Sequence, residues 1–156
     1  MTRWLHLARH ATTEDVRPGH PDRDRRLTAA GQTEASRLAE HLRACPAPPE
    51  QVWCSPAERA RTTAAALGPR VEVVLEPALY RAGPDEVLEL VAACDPVVTS
   101  LLVVGHNPTM AALAQQLATG PAQAGHRFPP ASCATCELDG PWADVARARL
   151  VSLRLP

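Results

Sequence analysis

Lysine and isoleucine are absent from these 156 residues, and asparagine occurs once, at Asn107. All 16 basic residues are therefore arginines. We read this as the compositional bias of GC-rich coding, so an arginine earns a role only from its neighbours. Aromatic residues make up 3% of the chain, which leaves Leu, Val and Ala to fill a core. No apolar run approaches the length of a membrane-spanning helix. The N-terminus carries Arg3, and polar residues arrive too early for a signal-peptide core. The net charge of -1 offers no electrostatic reason to expect nucleic acid or an anionic membrane as partner. Five cysteines are an odd number without the pattern of a small secreted domain, which favours a reducing compartment. The expectation is a soluble, cytoplasmic protein, with a monomer favoured.

What is present suffices for one domain spanning residues 1–156, since 46% of residues are hydrophobic. Strand-like and helix-like segments alternate between turn-forming residues. Trp4–Ala8, Val52–Cys54, Val71–Leu75 and Leu101–Val104 read as strands. The last is a continuous apolar run, as expected of a strand covered on both faces. A helix opens at Leu27-Thr28 and carries Ala35, Leu38, Ala39 and Leu42 on one face. Ser55-Pro56-Ala57-Glu58 reads as a helix start, with Ser as N-cap and Glu as capping-box partner. That helix runs to about Leu67. A helix from Asp85 to Ala93 follows Gly83-Pro84. Another, capped by Asn107-Pro108, ends near Gly120. Two further strands are expected near Cys133–Leu138 and Val145–Leu153. The pattern predicts a three-layer α/β/α domain. Its central sheet is mostly parallel, with an antiparallel C-terminal hairpin and no large cap.

In such sheets ligands collect beyond the carboxyl ends of the strands. Three segments there supply Arg or His: Arg9-His10-Ala11, Ser55-Pro56 with Arg59, and Gly105-His106-Asn107. Guanidinium forks match phosphoryl oxygens. A neutral imidazole can attack phosphorus, a second can donate to an oxygen, and the helix after Asn107 offers free N–H groups.

Leu-Ala-Arg-His-Ala resembles the signature of the histidine phosphatase superfamily, whose usual form is Arg-His-Gly. Residues 55–63, Ser-Pro-Ala-Glu-Arg-Ala-Arg-Thr-Thr, resemble its Ser-Pro-x-x-Arg-x-x-x-Thr segment. Val-Val-Gly-His-Asn-Pro, residues 103–108, resembles its second-histidine segment. Arg25 to Gly31 resembles the passage between the first two. Within the superfamily, the short length and Asp22 with Arg25 most resemble the SixA-type phosphohistidine phosphatases.

The resemblance implies that His10 is the nucleophile and that Arg9, Arg59 and His106 bind the phosphoryl oxygens. Arg25 and Asn107 are candidate substrate-binding residues. Glu76 is the first candidate for proton donor and Asp22 the second. No metal or organic cofactor is implied. The substrate is a phosphohistidine protein or a phosphorylated small molecule. A metabolite phosphomonoesterase, a mutase-like phosphotransferase and a non-catalytic phosphate-binding module remain as alternatives. Arg61 falls off the family's key arginine position. His6, His20, His41 and His126 read as ordinary surface or packed residues. Cys133 and Cys136 tempt a metal reading, but three residues apart in a strand their sulfurs face opposite sides.

Overall fold

The structure, a computed structural model, describes residues 1–118 and 127–156. His126 and Gly120 lie outside the described residues. A six-stranded sheet is built from β1 (Thr2–Arg9), β2 (Gln51–Cys54), β3 (Glu72–Leu75), β4 (Ser100–Gly105), β5 (Cys133–Asp139) and β6 (Arg149–Arg154). The helices are α1 (Ala29–Ala44), α2 (Glu58–Ala65), α3 (Pro84–Ala92) and α4 (Thr109–Gln116). The strand order is β3-β2-β4-β1-β5-β6. The first four are mutually parallel, while β5 runs antiparallel to both β1 and β6. The three-layer expectation is met.

The period-two alternation of side chains explains the layers. Leu5, Leu7, Leu101, Val103, Ala134 and Cys136 pack on one face against Val87, Val91, Met110, Leu113 and Trp142. Ala8, Val52, Cys54, Leu102, Val104 and Cys133 pack on the other against α1 and α2, through Leu38, Leu42, Ala60 and Ala64. Cys133 and Cys136 therefore do diverge to opposite faces. Among the described residues, no helix is long and apolar enough to cross a membrane.

Three local readings are corrected. Val145 belongs to a 3-10 stretch, Trp142–Arg147, and β6 begins only at Arg149. Trp142 and Val145, three residues apart, are both buried there, and the Trp142 indole N–H donates to the Val98 carbonyl at 2.8 Å. Ser55 is not an N-cap: α2 starts at Glu58 behind Ala57, with no side-chain cap. The Ser55 hydroxyl instead accepts from the Ala57 N–H at 3.3 Å, making a turn before the helix. Helix α4 stops at Gln116, short of Gly120.

The connection from β1 to α1 carries the longest loop of the site, and one contact closes it. Thr28 caps α1 by accepting from the Gly31 N–H at 3.0 Å, and its own N–H donates to the Thr12 carbonyl at 3.1 Å. A Cβ on Gly31 would lie 2.0 Å from that carbonyl oxygen. Neither group is a flexible side-chain end, so the helix and loop would have to part. We expect Gly31→Ala to cost about 3 kcal/mol, the upper end of typical overpacking penalties. A fall in the urea midpoint at unchanged slope would show it; an unchanged midpoint would mean the loop yields freely.

Candidate active site

Strand register brings the site together. Parallel pairing sets Arg9 level with Gly105, and Cys54 level with Val104. His10 and His106 therefore emerge level at the carboxyl ends of adjacent strands, and Ser55 leaves the third strand one residue lower, level with Gly105. Two backbone bonds extend the pairing past the strands. The His10 N–H donates to the Gly105 carbonyl at 3.1 Å, and the Ser55 N–H to the Val104 carbonyl at 3.0 Å. The His10 and His106 ring centroids stand 5.3 Å apart, tilted by 55°.

His10 is buried, and its Nδ1 lies 2.8 Å from the Ala11 carbonyl. A carbonyl can only accept, so Nδ1 carries the proton and Nε2 keeps its lone pair. Ala11 stands where the resemblance has glycine. Its backbone is not left-handed, and its N–H donates to Thr63 Oγ1 at 3.0 Å, so the Cβ is accommodated. Thr63 in turn donates to the Arg59 carbonyl at 2.7 Å, tying the start of α2 to the turn after β1.

Arg59 is buried at 5% exposure, and each of its two terminal nitrogens donates to Asp22. One terminal nitrogen donates to the Asp22 carbonyl at 2.7 Å, and the other to the Asp22 carboxylate at 3.0 Å. Asp22 also accepts from Arg25 Nε at 2.9 Å and from the Tyr80 hydroxyl at 3.0 Å. Tyr80 meets His106 edge-on, with centroids 5.7 Å apart. Arg25 further donates to Thr13 and to the Glu14 carbonyl. Arg9 and Asn107 both donate to the Phe128 carbonyl, at 3.2 and 2.9 Å.

Donors remain after this accounting. Among the described residues, five buried side-chain nitrogen or oxygen atoms lack a protein partner. Four belong to this end of the sheet: Nε of Arg9, Nε of Arg59, Nδ1 of His106 and Oγ of Ser132. Buried polar groups are otherwise nearly always paired, so such a concentration marks a place built for an acceptor-rich ligand. His6 shows the contrast. It is a packed histidine with Nδ1 3.0 Å from Thr135 Oγ1 and Nε2 3.0 Å from the Ala47 carbonyl. The cleft of about 460 Å³ beside His6 holds none of the candidate residues.

The remaining candidates sit differently. Glu76 caps the 3-10 turn Pro77–Tyr80, accepting from the Ala78 N–H at 3.0 Å. Arg61 is exposed and pairs with Glu58 at 3.6 Å. The N–H groups at the start of α4 are less available than the sequence suggests. Met110 N–H is taken by the His106 carbonyl and Ala111 N–H by Asn107 Oδ1. Ser55, Thr63 and Tyr80 are not among the site residues read from the sequence. Ser55 and Thr63 lie inside the segment 55–63 that resembles a family motif, whereas Tyr80, the one tyrosine, carries no periodic signal.

Electrostatics keep both imidazoles neutral. Burial, above all, pushes His10 down to about 3, with His106, Arg59 and Arg9 adding to the fall. Burial likewise takes His106 down to about 4, helped by Arg59, Arg25 and Arg9 and opposed by Asp22. For Asp22, partial burial works to raise the pKa, but the Tyr80 hydroxyl and the Arg59 and Arg25 charges outweigh it, and the net shift is downward.

Known proteins resemble this chain in sequence and fold. A profile described as "Histidine phosphatase superfamily (branch 1)" matches residues 5–80. An uncharacterized protein of Mycobacterium leprae is 36% identical, over 95% of this chain and 99% of its own. The structure of a "putative phosphohistidine phosphatase SixA" from Nakamurella multipartitia superimposes with a TM-score of 0.88 at 33% identity. It covers 100% of this chain and 97% of its own. A protein of the same description from Agrobacterium tumefaciens gives a TM-score of 0.82 at 30% identity, covering 99% of each chain.

The lowered His10 pKa has a consequence for stability. Between about pH 3 and the ordinary value of 6.5, the unfolded chain binds more protons at residue 10 than the folded one. Stability therefore falls as pH drops through that window. His10→Gln should lose less stability than wild type between pH 7 and pH 4.5, read from urea midpoints. Equal losses would show that His10 titrates normally when folded.

Proposed function

The chain belongs to the histidine phosphatase superfamily and is a phosphatase; from that premise we propose that His10 Nε2 carries the phosphoryl group between substrate and water. Neutral His10 attacks phosphorus in line. The bond from phosphorus to the leaving atom breaks as the bond to Nε2 forms. Arg9 and Arg59 hold the equatorial oxygens through their unpaired Nε sides, and His106 donates from Nδ1. Water then attacks phospho-His10, the phosphorus–nitrogen bond breaks, and inorganic phosphate leaves with the Nε2 lone pair restored. Such transfer rests on positioning and charge stabilisation more than on covalent chemistry by the protein.

In this reading Asp22 is a brace. It occupies the outer fork of Arg59 and so turns the Nε side toward the phosphoryl group. Arg25 and Tyr80 hold the brace from two sides.

The substrate class we propose is a phosphoramidate, specifically phosphohistidine in a protein, in line with the SixA description of the similar structures. One observation carries this choice. Of the two candidate donors, Glu76 caps a turn and Asp22 is bound by cations and held ionised, so neither stands ready to protonate a leaving alkoxide. A phosphoramidate nitrogen can be protonated before the bond breaks and needs no strong enzymatic acid. General acid catalysis is typically worth about 10²–10⁴ in rate. Alkyl phosphomonoesters should therefore lag behind phosphohistidine protein and phosphoramidate in kcat/KM by a factor in that range. Equal rates on an alkyl phosphate would point to a metabolite phosphatase with a donor elsewhere.

Two further outcomes test the mechanism. His10→Ala should abolish turnover and covalent labelling. His106→Ala should leave a trace of labelling, because losing one stabilising donor costs on the order of 10²–10³ in rate. The label should be acid-labile and alkali-stable; an acid-labile phosphoenzyme formed by His10→Ala at the wild-type rate would remove His10 from its role. Hydrolysis should also persist in a strong chelator, since the charge stabilisation proposed comes from Arg and His. Loss of activity restored by one divalent ion would reject that.

A further inference from the structure

We propose that Ser55 is a positioning residue, which fixes His106 in the tautomer bearing its proton on Nδ1, the form able to donate to a phosphoryl oxygen. The inference rests on the reading above, in which His106 faces the phosphoryl group.

Ser55 is fully buried, and its Oγ lies 2.7 Å from His106 Nε2. The oxygen also accepts from the Ala57 N–H at 3.3 Å. The backbone of Ser55 is anchored by its N–H to the Val104 carbonyl at 3.0 Å, one residue before the strand end that leads to His106. The hydroxyl therefore has little freedom to move away from the ring.

One proton must be shared between the hydroxyl and Nε2, and there are two ways to place it. If the hydroxyl donates to Nε2, the Nε2 lone pair is used and the hydroxyl proton is satisfied. Ala57 supplies a donor to the oxygen, and the ring proton sits on Nδ1. If Nε2 donates to the hydroxyl instead, the hydroxyl proton, in a buried place, has no acceptor among the described residues. Nδ1 then presents a lone pair. Unmade buried donors are disfavoured, which selects the first arrangement. His106 Nδ1 is buried and has no partner among the described residues, so its proton is left for a ligand.

The choice matters because the ring holds only one proton near neutrality. An imidazolium would donate from both nitrogens whatever Ser55 did. Burial and the neighbouring guanidinium groups keep His106 neutral, so the position of its single proton decides whether it attracts or repels a phosphoryl oxygen. His6 has no such role, since both its nitrogens are already engaged.

The test is nitrogen-15 NMR of the histidine rings in the ligand-free protein, with phosphoramidate kinetics alongside. Wild type should show His106 protonated on Nδ1 and bare on Nε2. Ser55→Ala should give a mixture of tautomers and a kcat lower by roughly tenfold, about 1.4 kcal/mol in the barrier, with KM little changed. In that variant His10 should keep its own Nδ1–H form. Ser55→Thr, which retains the hydroxyl, should restore both the tautomer and most of kcat. A wild-type His106 carrying its proton on Nε2 would overturn the proposal. So would a Ser55→Ala variant with wild-type tautomer and rate. If Ser55→Ala does not fold, the wild-type spectrum still decides. The spectrum needs no substrate, so the tautomer is read independently of catalysis. Failure of the phosphatase mechanism itself would appear as wild-type protein that forms no phosphoenzyme.

Discussion

The site depends on the in-register parallel pairing of β2, β4 and β1. Because Arg9 lies opposite Gly105 and Cys54 opposite Val104, the chain leaves β1 and β4 at one level and β2 one residue earlier. His10, His106 and Ser55 are the residues it delivers there. A shift of one residue in any of these strands would turn its side chains to the other face of the sheet. The continuous burial of β4, all six residues of it, resists that slip by setting apolar contacts on both sides.

On this frame the charges are held by second contacts, each reaching far along the sequence. Asp22 comes from the loop after β1, Arg59 from α2 and Tyr80 from the turn after β3, and they meet at one carboxylate. Thr63 links Arg59 back to Ala11. Burial strengthens the two Thr63 bonds and also keeps the imidazoles uncharged, so guanidinium cations and two neutral rings coexist in a small volume. The same burial that leaves the His10 Nε2 lone pair free is expected to make the fold sensitive to acid.

The parts legible in the sequence are those with a local signature. Leu101–Val104 reads as a doubly covered strand because it is unbroken apolar sequence. Leu38, Ala39 and Leu42 read as a helix face because of their spacing. His10, Arg59 and His106 stand out because each follows a strand within a recognisable segment, and the structure brings them to the same end of the sheet. The readings that failed did so where a tertiary contact outweighed a local cue. Ser55 has the chemistry of a helix cap, but the nearby imidazole of His106 takes its hydroxyl. Val145 fits a strand pattern, but burial of Trp142 and Val145 on one side of a 3-10 stretch sets the backbone instead. Tyr80 and the bracing by Asp22 were illegible because a hydrogen bond spanning 58 residues leaves no periodic trace.

The central claim is that phosphorus is bonded to Nε2 of His10, and one NMR measurement addresses the atom itself. Phosphoenzyme formed from phosphoramidate and quenched in alkali can be examined by proton–phosphorus correlation. A phosphoryl group on Nε2 lies within three bonds of both carbon-bound ring protons, whereas one on Nδ1 reaches only the proton between the two nitrogens. Since Nδ1 donates to the Ala11 carbonyl, two correlations are predicted from a single histidine, absent in His10→Ala. A single correlation, or two that persist without His10, would contradict it.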